Sequence, residues 1–261
     1  MSTTSWSEVS EWYDQLLEED PNSFQKKVIL PNLERLTACK AGDSVLDLAC
    51  GQGFFSFALS ASGAKFTGID LGENLIAKAN QKRKTFPKKE LVSFAVGNAE
   101  ALPELKNQSF NKIIIILAIQ NIEKAHQVFA ECARVLQPGG KMWLVMNHPS
   151  FRVPQGSDWG FDEAKKQYYR KVDTYMSESK IKIDMTPGSK INKQFTLTFH
   201  RPLQYYFKLL GKAGFNITRL EEWISHKSRQ QDSKHEAWEK ARHEIPMFMC
   251  LEAAKGVVEI K

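Results

Sequence analysis

Five short, continuous apolar runs follow one another between residues 44 and 146, and segments with helical spacing of apolar residues separate them. A run that is apolar throughout is typical of a strand covered on both faces, because a strand with one face in water alternates instead. Repeated strand–helix units at this spacing predict a doubly wound α/β fold with a mostly parallel sheet. The predicted strands are residues 44–49, 65–70, 91–96, 112–117 and 141–146, and the predicted helices are 54–62, 74–84 and 125–136.

The pattern divides the chain into four parts. Residues 1–42 are predicted to form a helical N-terminal extension, and residues 43–148 the core of the fold. Residues 149–200 are polar, aromatic and weakly patterned, and we expect this insertion after the fifth strand to form a lid or wall of a substrate site. Residues 201–261 are expected to complete the same α/β domain. Their predicted elements are a helix at 202–213 and strands at 215–223 and 247–254. Earlier in the chain, a turn is predicted at 137–140, before the fifth strand, and a short strand at 195–199, near the end of the insertion.

The composition excludes several classes of protein. No apolar run approaches the roughly 18 residues that a membrane span needs. The first residues lack the basic start and apolar stretch of a signal peptide, so we expect a cytoplasmic protein. Cys39, Cys50, Cys132 and Cys250 form no C-x-x-C pair, which disfavours a zinc site and a disulfide framework. No metal is therefore expected.

The segment that carries most of the functional information is a strand, a glycine-rich turn and the start of a helix, at residues 45–56. Gly51 and Gly53 allow a ligand to approach the backbone of this turn closely. A dinucleotide site typically has a third glycine, where this chain has Ser56, and no acid that would repel its pyrophosphate. Asp47, at the end of the strand, would repel a phosphate and attract a cationic ligand. This contrast favours S-adenosylmethionine over a nicotinamide dinucleotide.

A second acid, Asp70, ends the second predicted strand about 20 residues beyond the glycine pair. At that distance an acid is expected to accept hydrogen bonds from both ribose hydroxyls of a nucleoside. A glycine pair alone is weak evidence, but the pair with Asp47 before it and Asp70 after it is specific.

With these residues in place, the chain resembles the class I (Rossmann-like) S-adenosylmethionine-dependent methyltransferases, in particular the bacterial type 11 and type 25 domain group. Further segments match in order, at residues 97–103, 110–121, 134–141, 200–203 and 213–215. The resemblance implies a seven-stranded sheet whose last strand is antiparallel. It also implies S-adenosylmethionine as cofactor, bound by Asp47, Ala49, Cys50, Gly51, Gly53, Asp70, Leu71, Asn98, Ala99, Glu100, Ala118 and Gln120. The group usually has aspartate where this chain has Asn98, whose side-chain oxygen can still accept from an adenine amino group.

Methyl transfer from a sulfonium needs a general base only if the acceptor must lose a proton. His148 follows the fifth predicted strand and is the first candidate base, although it could simply support the turn at Pro149. His200 is the second candidate, with a capping role as the alternative. For the acceptor, the candidates are Tyr13, Arg152, Tyr169 and Arg201, the arginines because a guanidinium binds an acidic group through two hydrogen bonds.

The predicted function is transfer of a methyl group to an oxygen or nitrogen atom of a small molecule. A net charge of +6 keeps an RNA-modifying (tRNA) methyltransferase as an alternative, although no RNA-binding appendage is recognisable and nucleic acid is not the favoured partner. A third possibility is a non-catalytic module that binds S-adenosylmethionine without turnover. No membrane partner is expected, and the acceptor and the oligomeric state stay open.

Overall fold

The structure of the protein is a computed structural model that describes residues 20–184 and 195–256. A π-helical turn, Gln25–Ile29, leads directly into the first α-helix. The α-helices are α1 Leu30–Thr37, α2 Phe54–Leu59, α3 Glu73–Thr85, α4 Ala125–Val135, α5 Leu203–Lys212 and α6 His235–Glu244. The strands are β1 Ser44–Leu48, β2 Lys65–Asp70, β3 Val92–Val96, β4 Phe110–Ile116, β5 Leu136–Asn147, β6 Ser157–Asp162, β7 Gln167–Val172, β8 Ser179–Asp184, β9 Phe195–His200, β10 Phe215–Trp223 and β11 Phe248–Lys255.

Seven of these strands form the central sheet, in the order β10-β11-β5-β4-β1-β2-β3. Strands β1 to β5 pair in parallel, whereas β11 is antiparallel to both of its neighbours. This confirms the predicted Rossmann-like, mostly parallel sheet with its last strand antiparallel. The second half of the N-terminal helical extension is confirmed as well. The first half, around Trp12 and Tyr13, lies outside the described residues.

The sheet is buried on both faces, which is why its strands are apolar throughout. Alternate residues of each strand enter opposite core clusters. Leu46, Ile113 and Leu144 pack towards helices α4 and α5. Val45 and Ile114, on the other face, pack towards α1, α2 and α3. Residues of both clusters are almost completely excluded from solvent.

Two sequence-based predictions about the second half of the chain were incomplete. The turn predicted at 137–140 is the first part of β5, because Leu136 already pairs with Phe110 and the β4–β5 register slips just after that pair. Gly139, with φ of +73°, accommodates the irregularity.

The insertion is also more regular than its sequence pattern indicates. It contains two antiparallel hairpins, β6–β7 and β8–β9.

Strand β9 confirms the short strand predicted at residues 195–199. Its partner β8, and β7 of the other hairpin, were not predicted because half-buried residues alternate with exposed, mostly polar ones and no apolar run is present. Helix α6 was not predicted, and it is likewise poor in apolar residues. No helix in residues 20–184 and 195–256 is long and apolar enough to cross a membrane.

Candidate active site

The candidate site lies at the carboxyl ends of β1, β2 and β4, next to the position where the strand order reverses. From β1 the chain proceeds outwards to β2 and β3, whereas β4 and β5 lie on the other side of β1. The helices that follow adjacent strands therefore diverge and leave a crevice, where open α/β sheets bind their ligands. The glycine-rich turn between β1 and α2 forms the floor of this crevice.

The glycines of this turn have two different roles. Gly51 has a φ of +57°, and its N–H donates a 2.8 Å hydrogen bond to Oδ2 of Asp70. Gly53 has a φ of +84°, and a Cβ atom there would lie 2.6 Å from the ring of Phe94. Gly51 thus exposes the backbone to a ligand, whereas Gly53 allows the turn to pack on β3.

Asp70 is held at the end of β2 by the backbone on both sides of the crevice. Its Oδ2 accepts from Gly51 N–H and its Oδ1 accepts from Gly72 N–H, each at 2.8 Å. Burial raises the pKa of the Asp70 carboxyl, and these backbone hydrogen bonds oppose the rise. The carboxylate is therefore oriented before any ligand arrives.

Asp47 is the penultimate residue of β1 and is almost completely buried. Its Oδ2 accepts a 2.7 Å hydrogen bond from the hydroxyl of Ser56, the residue that replaces the third glycine of a dinucleotide fingerprint. Burial raises the pKa of Asp47 to about 7, with a further contribution from the charge of Asp70. A cationic ligand beside this pair would reverse the effect by favouring the ionised form.

The other walls of the crevice come from the turns after β3 and β4. The side-chain oxygen of Asn98 accepts a 3.0 Å hydrogen bond from Glu100 N–H, which orders the turn after β3. After β4, Leu117 has a φ of +54° and donates its N–H to the carbonyl of Val145 on β5. A non-glycine residue with this φ is uncommon, and it turns the chain sharply over the end of the sheet.

Together these elements enclose a cavity of about 810 Å³. Most of the residues predicted to bind the cofactor line it: Asp47, Ala49, Cys50, Gly51, Asp70, Leu71, Asn98, Ala99, Glu100 and Ala118. Gly53 and Gln120 are outside the lining. Gln120 instead donates its amide to the carbonyl of Leu117 at 3.0 Å, and its neighbour Asn121 lines the cavity.

The sequence-based prediction missed the side of the cavity opposite the glycine turn. The β8–β9 hairpin contributes Lys180, Lys182, Phe195, Leu197 and Phe199 to the lining, together with Thr196 between the first two of these β9 residues. A signal for this face existed, because the lysines are two residues apart and so are the three apolar residues, as expected on one face of paired strands. Helix α2 adds Phe54 and Phe55, and the turn after β4 adds residues 121–124.

Neither histidine proposed as a general base lines the cavity. Nε2 of His148 donates to Oε1 of Glu222 at 2.6 Å, and its Nδ1 accepts from Ser150 N–H at 3.2 Å. Burial lowers the pKa of His148. Nε2 of His200 donates to the carbonyl of Tyr175 at 2.7 Å. These contacts tie His148 to β10 and to the start of the insertion, and His200 to the insertion itself. The catalytic role of both residues stays a prediction.

The residues predicted to bind the acceptor are also dispersed. Tyr13 lies outside the described residues. Tyr169 is half exposed and packs over Gly160 of the β6–β7 hairpin. Arg152 lies 5.9 Å from the ring of Trp159, and burial lowers its pKa to about 10.

Arg201 is buried as well and donates to the carbonyls of Ile119, Ile122 and Glu123. It therefore holds the turn after β4 and does not line the cavity. The described residues contain no cluster of histidine, cysteine and acidic side chains suited to a metal.

Residues 46–144 match the family model described as methyltransferase domain. A demethylmenaquinone methyltransferase of Symbiobacterium thermophilum is 31% identical over 198 residues, which cover 69% of this chain and 77% of that protein. A ubiquinone/menaquinone biosynthesis C-methyltransferase of Paracoccus denitrificans is 30% identical over 48% of this chain and 50% of its own length. The chain spans about half the length of most of the curated relatives it matches.

The same fold is present in a crystal structure of an S-adenosylmethionine-dependent methyltransferase from Mesorhizobium loti. Its TM-score is 0.68, at 23% identity, and the superposition covers 89% of this chain and 98% of that protein. This likeness extends beyond the matched core into the second half of the chain.

Proposed function

The chain belongs to the class I S-adenosylmethionine-dependent methyltransferases, and on that basis we propose that it transfers a methyl group from S-adenosylmethionine to a small-molecule acceptor. The observation that carries the proposal is one continuous cavity with two unlike ends. One end is formed by the glycine turn and by Asp47 and Asp70, and the other by the β8–β9 hairpin. A cofactor and an acceptor bound at these ends would meet in the middle.

The residues at the first end fit S-adenosylmethionine and not a dinucleotide. Asp70 would accept the two ribose hydroxyls, and the turn of Asn98 and Glu100 would face the adenine. Asp47 and the exposed backbone of Gly51 would receive the amino-acid end. The bound cofactor supplies the methyl group on a sulfonium, whose positive charge the two carboxylates favour. The same carboxylates would repel a pyrophosphate.

The second end supports a small, partly apolar acceptor. Phe195, Leu197 and Phe199 present apolar surface to the cavity, whose volume is in the range of small-molecule sites. The relatives named for demethylmenaquinone and for C-methylation also have small acceptors, with carbon as the receiving atom in one name. We therefore extend the expected receiving atom from oxygen or nitrogen to carbon.

Positioning accounts for the proposed catalysis. Among the residues that the structure describes, no histidine or tyrosine lines the cavity. An acceptor that is already nucleophilic requires no proton transfer at the moment of attack. Holding it in line with the methyl group removes the entropic cost of bringing two molecules together.

The test uses S-adenosylmethionine labelled in its methyl group, incubated with a cell extract separated into small molecules, RNA and protein. We expect label in the small-molecule fraction. Asp70→Ala should reduce incorporation at low cofactor concentration by about tenfold or more, since hydrogen bonds to a charged group contribute about 1.5–3 kcal/mol. Asp173→Ala, an exposed carboxylate outside the cavity lining, is the matched control and should behave as wild type.

The other outcomes separate the alternatives. Label in RNA would show an RNA-modifying enzyme. Binding of S-adenosylhomocysteine in calorimetry with no label in any fraction would show a module that binds the cofactor without turnover. Absence of both binding and label would contradict the proposal.

A further inference from the structure

The hairpin that closes the cavity combines cationic and apolar side chains on one face. In the β8–β9 register, Lys180 pairs with Phe199, and Lys182 pairs with Leu197. Side chains of directly paired residues point to the same face of a hairpin. All four line the cavity, and so does Phe195. The intervening Thr198 points away, and its hydroxyl donates to the carbonyl of Gln120.

The position of this face is fixed by contacts to the turn after β4. Besides the Thr198 contact, Lys180 Nζ lies 3.0 Å from Oε1 of Glu123. Arg201, immediately after β9, donates to three carbonyls of the same turn. The hairpin is thus held against the mouth of the cavity, and Lys182 and Leu197 of its inner face take no part in these contacts.

The two lysines are in different electrostatic situations. Lys180 is paired with Glu123, and its Nζ is 5.5 Å from the centre of the Phe199 ring. Lys182 has its Nζ 4.2 Å from the centre of the Phe195 ring. No carboxylate within the described residues pairs with Lys182. Asp184, which shares this face, is absent from the cavity lining. Among residues 20–184 and 195–256, the Lys182 ammonium is thus a cavity-lining positive charge whose contact is with the face of the Phe195 ring.

The cavity lining, as far as the structure describes it, holds four carboxylates and three lysines. Glu100 lies 4.0 Å from Lys124 and Glu123 lies 3.0 Å from Lys180, so each of these carboxylates has a cationic partner. The remaining charges are separated along the cavity, with Asp47 and Asp70 at the cofactor end and Lys182 at the hairpin end. A negative group would be repelled at the first end and attracted at the second. This separation orients an acceptor that carries its charge at one end only.

We propose that the methyl acceptor of this enzyme carries an anionic group, a carboxylate or a phosphate, that binds Lys182 while its apolar part packs against Phe195, Leu197 and Phe199. The inference rests on the proposed function, because it assigns the acceptor of that same cavity. A charge-assisted hydrogen bond from an ammonium to such a group is about twice as strong as a neutral one. Methyl transfer itself takes place at another atom of the acceptor, nearer the sulfonium. That atom forms a bond to the methyl carbon as the carbon–sulfur bond breaks, S-adenosylhomocysteine leaves, and a proton carried by the acceptor atom passes to solvent. The anionic group is unchanged in the product.

The experiment separates the small-molecule extract, aqueous and lipid-soluble parts alike, on an anion exchanger at pH 8. The retained and unretained fractions are each incubated with labelled S-adenosylmethionine and wild-type protein. We expect labelled product from the retained fraction only. Label arising from the unretained, neutral or cationic compounds would overturn the inference and leave the proposed methyltransferase function intact.

Variants then test the residue. In dilution series of the active fraction, Lys182→Gln should need about tenfold more acceptor for half-maximal rate, with a nearly unchanged plateau. Lys182→Arg should recover most of this loss, because it restores the charge. Lys171→Gln, on the other hairpin and paired with Asp173, is the matched control and should match wild type. If Lys182→Gln, Lys171→Gln and wild type reached half-maximal rate at the same acceptor concentration, the role of Lys182 in binding the acceptor would be contradicted.

Cofactor affinity is measured in parallel by calorimetry with S-adenosylhomocysteine. We expect the same affinity in wild type and Lys182→Gln, which shows that the variant is folded and that the lost interaction concerns the acceptor. Bound cofactor without label from either fraction would count against the proposed function itself, and the inference would fall with it.

Discussion

The two strand-end carboxylates of the cavity differ in how the protein compensates their burial. Asp70 accepts hydrogen bonds from the backbone N–H groups of Gly51 and Gly72, whereas Asp47 depends on one residue, Ser56, through its hydroxyl and its backbone N–H. Burial raises the pKa of Asp47 to about 7, the hydrogen bonds from Ser56 oppose this rise, and the negative charge of Asp70 adds to it. Ionised Asp47 therefore lowers the free energy of unfolding of the protein without its cofactor, and its negative charge is available to a cationic ligand.

This leads to a prediction about the pH dependence of stability. Because the pKa of Asp47 in the folded chain, about 7, exceeds its ordinary value of 3.8, its contribution favours folding at low pH. That contribution is lost as the pH rises through about 7. Between pH 5 and pH 8 the cofactor-free protein should lose roughly 2–3 kcal/mol through this residue, at 1.36 kcal/mol per pKa unit. In Asp47→Asn this loss should disappear.

Urea unfolding of wild type and Asp47→Asn at both pH values measures the difference. The asparagine can still accept from Ser56, so the fold is kept while the titration is removed. Asp173→Asn serves as the exposed control. The same pH slope in wild type and Asp47→Asn would show that Asp47 is not the group responsible.

Among the structural elements, the turn after β4 connects the sheet to the hairpin end of the site. It carries Leu117 in a left-handed conformation and contributes residues 121–124 to the cavity. Arg201, from beyond β9, adds hydrogen bonds of 2.9 and 2.6 Å to the carbonyls of Ile122 and Glu123. Its guanidinium carbon lies 4.8 Å from the centre of the Phe199 ring and 4.9 Å from that of Tyr205.

We expect Arg201→Lys to lower the free energy of unfolding by about 2 kcal/mol, since a lysine keeps the charge but cannot reach several carbonyls at once. Hydrogen exchange should accelerate locally at residues 119–124. Unfolding experiments and exchange measured by mass spectrometry test both effects, with Arg219→Lys on the exposed side of β10 as the control. If exchange in this turn were unchanged, Arg201 would not be its anchor.

For the whole molecule, the important arrangement is that the cavity is built from parts of the chain far apart in sequence. The glycine turn and β2 contribute one end, and the β8–β9 hairpin contributes the other. An unfolded chain retains none of this site, so a ligand of the site binds the folded protein alone. Ligand binding must then stabilise the entire fold.

At a concentration of S-adenosylhomocysteine 100 times its Kd, the stabilisation should be about 2.7 kcal/mol, equivalent to a rise in Tm of about 5–10 °C for a chain of this size. NAD at the same concentration should leave the Tm unchanged, because its pyrophosphate would face Asp47 and Asp70. Thermal denaturation with each ligand decides between the two cofactors. Equal stabilisation by NAD would contradict the electrostatic argument.

Local patterns were sufficient to predict the doubly wound sheet, the glycine turn and the two strand-end acids. Each depends on residues close together in sequence: apolar runs long enough for a strand, a glycine pair after a strand, and an acid at the next strand end. The cofactor end of the cavity could be predicted for this reason, and Asp47, Gly51 and Asp70 all line it.

The acceptor end could not be predicted in the same way, because it depends on which residues of the β8–β9 hairpin face inwards. Strand pairing places Lys182 beside Leu197 in the cavity, and the contacts of His148 with Glu222 and of Arg201 with backbone carbonyls keep those residues out of it. In the sequence, an exposed lysine and a cavity lysine look alike, as do a buried structural histidine and a general base. Their surroundings differ only after segments distant along the chain have packed. Packing therefore decides which side chain faces the cavity and which forms contacts within the protein.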